Sequence, residues 1–449
     1  MVLFVPLHHH YLSHIIIMIA EFTIENFFSI KKPQTISFEP TSDTFMSDEY
    51  SCEVKDGVRL LKIGIIYGAN ASGKTTILNA IDFFKMLVLR MPQDRNEKTD
   101  LVPFLLDDTS RNKTTKMAMT FYVNQAKYIL SFELNSKRIC TETLVVYESN
   151  RPTKLYSRSY NETTDSTTIV FGANLKLPSK SQDVILGNTI NNCSVLAAFG
   201  KSNVEKTKLN DVYHYFTYNI REMLTPNMRL SDYVKVHLDT DTNGDLKHFL
   251  LKFLKASDFN IEDITLHEEE ETLTEEFKQL ISKAPIDDKA KEEMLKKGKI
   301  TNTELVFTHN AGNKRYNLPE ENESNGTIRL LGMAVILNFL LREKRFVAID
   351  EVESSIHYEL LSYFIKVFLA NSNQTSQLLL TTHDINLLDE DFIRRDTIWF
   401  TDKDELGETK LARLSSLGLH KNLSPYNAYR QGKLVKLPFL GSQYLSLND

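Results

Sequence analysis

Features that mark exported and membrane-bound proteins are absent from this sequence. It has three cysteines, Cys52, Cys140 and Cys193, whose spacing fits no metal site, so we expect free thiols in a reducing cytoplasm. The apolar stretch near the N-terminus is too short and too interrupted by histidine to span a bilayer. No lysine or arginine precedes Lys31, which excludes the charged start of a secretory signal. These absences predict a cytoplasmic protein without a membrane partner.

A strong excess of positive charge is also missing. The 449 residues include 53 lysines and arginines against 59 aspartates and glutamates, and the formal net charge is -6 at pH 7. The overall charge therefore does not favour nucleic-acid binding, and any contact with DNA would have to be local. The length exceeds what one hydrophobic core usually serves, so it predicts more than one structural unit.

The most informative segment is a glycine-rich run between an apolar strand and a helical stretch. It reads Gly68-Ala69-Asn70-Ala71-Ser72-Gly73-Lys74-Thr75, followed by Thr76. The run fits the phosphate-loop pattern GxxxxGK[ST], in which the two glycines let successive amide groups converge on a phosphate. Lys74 would supply charge to the β- and γ-phosphates, and the Thr75 hydroxyl is placed to coordinate magnesium. A plain glycine turn would not need lysine and threonine in this register, so the segment predicts a site for ATP and Mg2+.

A second segment supplies carboxylates for the same chemistry. The apolar run Phe346 to Ile349 predicts a buried strand that ends in Asp350 and Glu351. Two acids that cap a strand at the surface are common, but a phosphate loop in the same chain makes the pattern specific. Asp350 would hold magnesium together with Thr75, and Glu351 would act as the general base that polarises the attacking water.

Two further segments are ambiguous when taken alone. His383 follows the apolar strand Leu378 to Thr381, where a lone histidine is usually structural. Its position after the Asp-Glu pair instead favours a catalytic role, in which it senses the γ-phosphate and orients the water. Ser324 and Gly326 precede a predicted helix, and both are ordinary capping residues there.

The order of these segments resembles that of the ABC ATPase superfamily: phosphate loop, signature, Asp-Glu strand and switch histidine. Glu323-Ser324-Asn325-Gly326-Thr327 is similar to the signature of its soluble branch. In that family the serine hydroxyl and the glycine amide contact the γ-phosphate held by the opposite subunit. The resemblance therefore implies that Ser324 and Gly326 bind nucleotide in a homodimer or higher homo-oligomer. One departure is the usual Q-loop glutamine, because the segment from Pro103 to Asp107 contains none.

Less specific motifs resemble those of narrower groups of soluble ATPases. The segment Glu25 to Ser29 looks like the opening of RecF-like and OLD-like ATPases, and Asp350 to His357 looks like their Asp-Glu-x-Glu-x-x-Leu-His segment. Arg394 to Phe400 and the ending from Tyr429 to Pro438 resemble stand-alone ATPases of phage-defence operons, the RloA type and the AriA subunit of the PARIS system. This resemblance implies an ATP-hydrolysing sensor or scaffold that acts with a separate effector, such as a TOPRIM or HNH nuclease or another toxin. We find no nuclease constellation, and we expect no TOPRIM domain before the end at Asp449.

Two other functions stay open. A RecF-like repair or clamp ATPase would bind DNA directly, and the C-terminal segment has six basic residues that could do so: Lys410, Arg413, Lys421, Arg430, Lys433 and Lys436. Six charges over this length more often form a solvated face or contact an acidic partner. A passive ATP-binding scaffold is the third option, and Glu351 and His383 disfavour it.

The fold class expected from these patterns is α/β. We expect an ABC ATPase head whose mixed β-sheet combines a parallel core around the phosphate loop with an antiparallel N-terminal sheet, and a helical insertion. Residues 18–150 and 303–449 are assigned to the head, 151–302 to a mostly helical insertion or arm, and 1–17 to an upstream extension. Ser149 to Ser181 is polar and turn-rich, and Asp245 to Ala256 has a helical period. The charged stretch from His267 to Lys299 predicts a solvated helical pair broken at Pro285, or else a partner-docking arm.

Overall fold

A computed structural model describes residues 16–283, 288–371, 375–420 and 423–436. The described chain divides into two compact units. The larger unit covers the residues up to Pro226, then Leu340–Ser354, and those from Ile365 onward. The smaller unit covers Asn227–Phe339 and Ser355–Phe364. The domain boundaries expected after residues 150 and 302 stay predictions.

The elements are numbered in chain order. The strands are β1 (Ile17–Glu25), β2 (Gln34–Ser37), β3 (Ser51–Lys55), β4 (Val58–Leu61), β5 (Ile63–Tyr67), β6 (Thr115–Val123), β7 (Ala126–Leu134), β8 (Ile139–Tyr147), β9 (Thr153–Asn161), β10 (Ser166–Phe171), β11 (Ile261–Thr272), β12 (Lys299–Ala311), β13 (Lys314–Pro319), β14 (Phe346–Ile349), β15 (Gln377–Thr382), β16 (Ile398–Lys403) and β17 (Thr409–Arg413). The α-helices are α1 (Ser47–Tyr50), α2 (Lys74–Leu89), α3 (Asp108–Arg111), α4 (Ser179–Asn188), α5 (Val195–Gly200), α6 (Lys208–His214), α7 (Leu230–Asp239), α8 (Asp245–Ala256), α9 (Glu275–Lys283), α10 (Asp288–Lys297), α11 (Asn325–Arg342), α12 (Tyr358–Ala370) and α13 (Pro425–Arg430).

A mostly parallel sheet in the larger unit positions the candidate site. Its strand order over the described residues is β14-β15-β5-β16-β17, and only the β16–β17 pair is antiparallel. Every residue of β5, β14 and β15 is buried, which explains their continuous apolar sequences. Ile349 lies opposite Leu380, and Thr382 lies opposite Tyr67. The carboxyl ends of these three strands therefore meet at one edge of the sheet.

An antiparallel sheet forms the second layer of the larger unit. In the described part of the chain its order is β10-β9-β8-β7-β6-β1-β2. Strand β7 alternates buried and half-buried residues, as expected of a strand with one face toward the core. Together the two sheets confirm the predicted α/β class, with a parallel core around the phosphate loop and an antiparallel N-terminal sheet. None of the described helices combines the length and apolar character that a membrane span requires.

The smaller unit contains both helices and strands. Its antiparallel sheet has the order β11-β12-β13, and helix α8 packs against β11. Leu250 and Phe253 of the helix are buried in this unit, as are Leu305 and Phe307 of β12. Helix α8 begins and ends where its helical period predicts, at Asp245 and Ala256.

Three predictions about the middle of the chain need correction or lie outside the description. The segment expected to be turn-rich contains β9 and β10. Strand β10 has no buried residue, and one of the buried positions of β9 is the charged residue Arg158, so neither strand shows a simple apolar alternation. The charged stretch predicted as purely helical begins inside β11, where Glu268 to Glu271 pair with Ile300 to Thr303 of β12. Because both faces of this strand segment are exposed, it lacks an apolar alternation. Helices α9 and α10 follow as expected, and the break at Pro285 lies outside the described residues.

Candidate functional site

The phosphate-loop segment joins β5 to α2 in a conformation that needs its glycines. Gly73 has φ of 106°, and a Cβ atom there would lie 2.7 Å from Cγ2 of Thr409. A Cβ atom on Gly68 would lie 2.6 Å from the main-chain oxygen of Thr401. Ala71 also has a left-handed backbone, with φ of 61°. Larger residues at the two glycine positions would therefore displace the loop.

Hydroxyl groups from other segments of the chain hold the loop in place. The Ser72 hydroxyl lies 2.7 Å from that of Thr401, and the Thr409 hydroxyl donates to the main-chain oxygen of Ser72 at 3.0 Å. The Ser29 hydroxyl lies 2.8 Å from that of Thr409 and 3.1 Å from that of Thr76. Sequence reasoning placed Ser29 in the motif from Glu25 to Ser29 but gave it no contact with the loop. It missed Thr401 and Thr409 because single hydroxyl residues carry no motif.

Lys74 is buried at the start of α2, with 4% of its surface exposed. Its ammonium group donates to the main-chain oxygens of Gly68 at 2.9 Å and Ala69 at 3.2 Å, and lies 2.9 Å from Nε2 of His383. Burial lowers the pKa of Lys74 below its usual value, although neighbouring carboxylates act in the opposite direction. A bound phosphate would favour the charged form, so this setting suits an anionic ligand.

The threonine after this lysine contacts the first acid of the Asp-Glu pair. The Thr75 hydroxyl donates to Oδ2 of Asp350 at 2.9 Å and lies 3.2 Å from Oδ1. Asp350 is 5% exposed, and its Oδ1 also accepts a hydrogen bond from the Thr381 hydroxyl at 2.5 Å. A hydroxyl and a carboxylate side by side next to a phosphate loop are ligands that magnesium prefers, so these residues fit that ion.

Glu351 and His383 face each other across the cleft. Oε1 of Glu351 lies 3.7 Å from Nε2 of His383, and the two side chains are 46% and 32% exposed. Glu351 has a left-handed backbone with φ of 44°, and its N–H donates to the Thr381 hydroxyl at 2.8 Å. The main-chain N–H of His383 donates to Oε1 of Glu353 at 2.6 Å. Sequence reasoning assigned no role to Thr381 or Glu353.

The phosphate loop, Glu351 and His383 line a cleft of about 530 Å3 in the larger unit. This volume is within the range of small-molecule sites. The cleft wall also includes residues that were not predicted: Phe28, Ser29, Val102, Pro103, Phe104, Leu105, Leu106, Lys403 and Gly407. The segment Pro103 to Leu106 lies where the Q-loop glutamine was expected and contributes no amide side chain. The Q-loop residue therefore stays unassigned.

Asn26 connects the Asn-Phe-x-Ser segment to one wall of the cleft. Its side chain donates to the main-chain oxygens of Ser110 at 3.0 Å and Lys113 at 3.1 Å, and accepts from the N–H of Phe104 at 3.1 Å. The main-chain N–H of Phe28 donates to the oxygen of Val102 at 3.0 Å. These bonds fix the loop that forms one wall of the cleft.

The predicted signature residues lie in the smaller unit, at the start of α11. The Ser324 hydroxyl accepts the N–H of Thr327 at 3.0 Å, which is ordinary helix capping. Ser324 is exposed, and Oε1 of the preceding Glu323 lies 2.5 Å from Nε2 of His309. A Cβ atom on Gly326 would lie 2.9 Å from the main-chain oxygen of Ser355. The role of Ser324 and Gly326 toward a nucleotide stays a prediction.

Two solved structures of SMC head domains are similar to this chain at low sequence identity. The SMC head domain from Thermotoga maritima is 14% identical with a TM-score of 0.38, and the match covers 88% of this chain and 98% of that chain. The second, an SmcHead bound to the C-winged helix domain of ScpA, is 13% identical with a TM-score of 0.40, and the match covers 92% of this chain and 99% of that chain. A search for relatives among curated proteins finds no match.

A family model gives the broader classification. The model described as "AAA domain, putative AbiEii toxin, Type IV TA system" matches residues 64–389, which include the phosphate loop, the Asp-Glu strand and His383. Because this match extends over most of the chain, the protein belongs to the family of AAA domains that carries this description.

Proposed function

We propose that this protein is an ATPase that works as a dimeric switch. The observation that carries the proposal is a convergence at one sheet edge. Thr75 of the phosphate loop contacts Asp350, while Lys74 lies 2.9 Å from His383, which itself lies 3.7 Å from Glu351. The sequence positions of these residues are far apart, and β5, β14 and β15 bring them together.

ATP and Mg2+ are the cofactors proposed for this site. The loop from Gly68 to Thr76 would surround the phosphates, with Lys74 as the positive charge. The Thr75 hydroxyl and the Asp350 carboxylate would hold magnesium. When bound, this ion would neutralise phosphate charge and orient the reacting groups.

Two side chains would carry the catalytic work. The Glu351 carboxylate is half exposed in the cleft, and it would accept a proton from the water that attacks the γ-phosphate. His383 lies between this base and the ammonium group of Lys74, so it would orient the water and sense the γ-phosphate.

A second copy of the chain would complete each site. Ser324 is exposed at a helix N-terminus, where its hydroxyl and the following amide groups can contact an anion. In this proposal Ser324 and Gly326 of one copy close on the nucleotide held by Lys74 of the other. ATP then acts as a clamp, and its hydrolysis releases a conformational change.

Antiphage defence is the biological role we propose for this switch. The family description names a toxin–antitoxin system, and the motifs resemble the RloA and AriA types of defence ATPase. The protein would be a cytoplasmic sensor or scaffold, and a separate effector, such as a TOPRIM or HNH nuclease, would act with it.

A RecF-like DNA-binding ATPase is the competing proposal. Three of its six candidate basic residues are already engaged: Lys410 pairs with Asp404 at 3.2 Å, Arg413 packs over Trp399, and Arg430 packs over Tyr426. Lys421 lies outside the described residues. If DNA is bound directly, neutralising Lys433 and Lys436 should weaken binding and reduce the salt slope by about one per lysine. DNA binding only in the presence of an effector would favour the defence proposal.

A phosphate-release assay tests the ATPase proposal. The purified full chain should hydrolyse ATP when Mg2+ is present and not in EDTA. The Lys74→Ala variant should bind no nucleotide, because it lacks the charge at the phosphate loop. Lys137→Ala, an exposed lysine on the β7–β8 turn, should behave as wild type. Wild-type protein that binds ATP but never releases phosphate would instead indicate a passive scaffold.

A further inference from the structure

Thr381 connects Asp350, the proposed magnesium ligand, with Glu351, the proposed base, although it lies outside the Asp-Glu segment. It is fully buried near the end of β15. Its hydroxyl donates to Oδ1 of Asp350 at 2.5 Å and accepts the main-chain N–H of Glu351 at 2.8 Å. Its main-chain oxygen accepts the N–H of Val352 at 3.0 Å. One residue therefore contacts three successive positions of the Asp-Glu segment.

The first contact fixes how the Asp350 carboxylate is turned. Because Oδ1 is held by Thr381, Oδ2 is the oxygen that lies nearer to the Thr75 hydroxyl, at 2.9 Å against 3.2 Å for Oδ1. Groups that hydrogen-bond a metal ligand commonly set its orientation and its affinity for the ion. Thr381 is placed to do this for the carboxylate that would hold magnesium.

The second contact holds the backbone of the proposed base. A left-handed backbone is uncommon for a residue with a side chain, and Glu351 has φ of 44°. The Thr381 hydroxyl receives the N–H of this residue, so it stabilises the unusual conformation. Threonine also suits the position because its branched side chain restricts χ1 and keeps the hydroxyl aimed in one direction.

We propose that Thr381 is a positioning residue that orients Asp350 for magnesium and holds Glu351 in its catalytic conformation. The inference rests on the proposed ATPase function and adds a residue to its machinery. It differs from the alternative that Thr381 is an ordinary buried threonine, whose loss would only lower stability.

Substitution of Thr381 by valine separates these interpretations, because valine keeps the shape and removes the hydroxyl. Affinity for a fluorescent ATP analogue is measured in Mg2+ and in EDTA, together with phosphate release and thermal melting. For Thr381→Val we expect the Mg2+-dependent gain in affinity to fall about tenfold or more, while affinity in EDTA stays unchanged. The catalytic rate should fall as well, and Thr381→Ser should restore part of both.

Thr397→Val is the matched control. Thr397 is equally buried, and its hydroxyl donates at 2.6 Å to the main-chain oxygen of Arg394, which lies outside the Asp-Glu segment. This variant should keep the wild-type response to Mg2+. If Thr381→Val does not fold, Thr381→Ala provides the same loss of the hydroxyl without the added methyl group.

Two results would overturn the positioning role. One is a Thr381→Val variant whose gain in nucleotide affinity from Mg2+ and whose rate of phosphate release both equal those of the wild type. The other is an equal loss of affinity in Mg2+ and EDTA with a lower melting temperature, which is what a structural role alone produces. Failure of the ATPase proposal is distinguishable, because the wild-type protein itself would then lack Mg2+-dependent hydrolysis.

Discussion

At the scale of single residues, the groups that would bind ATP and magnesium differ in burial from the group that would catalyse hydrolysis. Lys74 and Asp350 are almost fully buried, whereas Glu351 is half exposed. Buried charges are held by fixed partners, and the exposed carboxylate can reach a water molecule. Binding and hydrolysis should therefore be separable by mutation.

Glu351→Gln provides the residue-scale test. The amide cannot accept a proton from water, so phosphate release should fall about 100-fold or more while ATP is still bound. Hydrolysis is measured by phosphate release, and bound nucleotide by denaturing the purified complex. Glu276→Gln, an exposed glutamate on α9, serves as the control. A Glu351→Gln enzyme with wild-type turnover would contradict the assignment of the base.

The sequence predicts some residues of the cleft and misses others for a physical reason. Lys74 and Asp350 belong to motifs because phosphate and magnesium demand particular residue types at fixed positions. Thr381 and Thr409 act through a hydroxyl whose partner is distant in sequence. Nothing in the local pattern distinguishes them from other threonines, so only the fold shows their contacts.

At the scale of elements, a glycine substitution tests whether the connection between β5 and α2 tolerates a side chain. Gly73→Ala combines a disfavoured φ with overlap against Thr409, so the free energy of unfolding should fall by about 2 kcal/mol or more and ATP binding should be lost. Gly57→Ala is the matched control, since Gly57 also has a positive φ, of 73°, but faces open space. This substitution should lower the free energy of unfolding by about 1 kcal/mol and leave ATP binding intact. Denaturant unfolding and nucleotide titration measure both effects.

The antiparallel sheet contains a buried ion pair. The loss of stability caused by breaking this pair should depend on pH. Glu142 and Arg158 are fully buried, and burial raises the pKa of Glu142 while it lowers that of Arg158. Arg158→Met should destabilise the protein by about 3–5 kcal/mol, because the carboxylate loses its partner.

The sign of this pH effect follows from the raised pKa of Glu142. Below the usual pKa of 4.5, the side chain is protonated in both folded and unfolded chains, and the missing partner costs little. Arg158 lowers the pKa of Glu142 against the effect of burial, so its removal raises this pKa further in the folded chain. As the pH rises, ionisation of Glu142 then costs the variant more than the wild type, and the stability deficit of Arg158→Met should grow. Unfolding in denaturant between pH 4 and pH 8 checks this, and a deficit that shrinks with pH would contradict it.

Element prediction succeeds where burial leaves a clear pattern. Strands β5, β14 and β15 are buried along their whole length, and their apolar runs are evident in the sequence. Strand β10 and the acidic end of β11 are half exposed or fully exposed, and one of the buried positions of β9 is the charged residue Arg158. These segments lack a simple apolar alternation, and the sequence alone does not reveal their cross-strand hydrogen bonds.

At the scale of the whole molecule, the account rests on two copies that share each nucleotide. Lys74 and Ser324 lie in different compact units, and the exposed Ser324 is free to meet another chain. If the clamp is formed in this way, Glu351→Gln protein should be a dimer in ATP and a monomer without it. Size-exclusion chromatography with light scattering measures the change. A mass that does not respond to ATP would contradict the nucleotide clamp.

Mixing two inactive variants tests the shared site most directly. Lys74→Ala removes the positive charge from the phosphate loop of one copy. Ser324→Asp places a negative charge in the signature of the other while keeping a good helix cap. A mixed dimer retains one intact site only if Lys74 and Ser324 act from different chains. Lys74→Ala mixed with Glu351→Gln is the control, because both changes affect the half-site that binds the phosphates.

The decisive measurement is phosphate release from the mixture of Lys74→Ala and Ser324→Asp. We predict activity well above the sum of the two separate proteins, and none in the control mixture. A mixture as inactive as its components, under conditions where wild-type protein hydrolyses ATP, would show that Ser324 does not complete the site of a second chain.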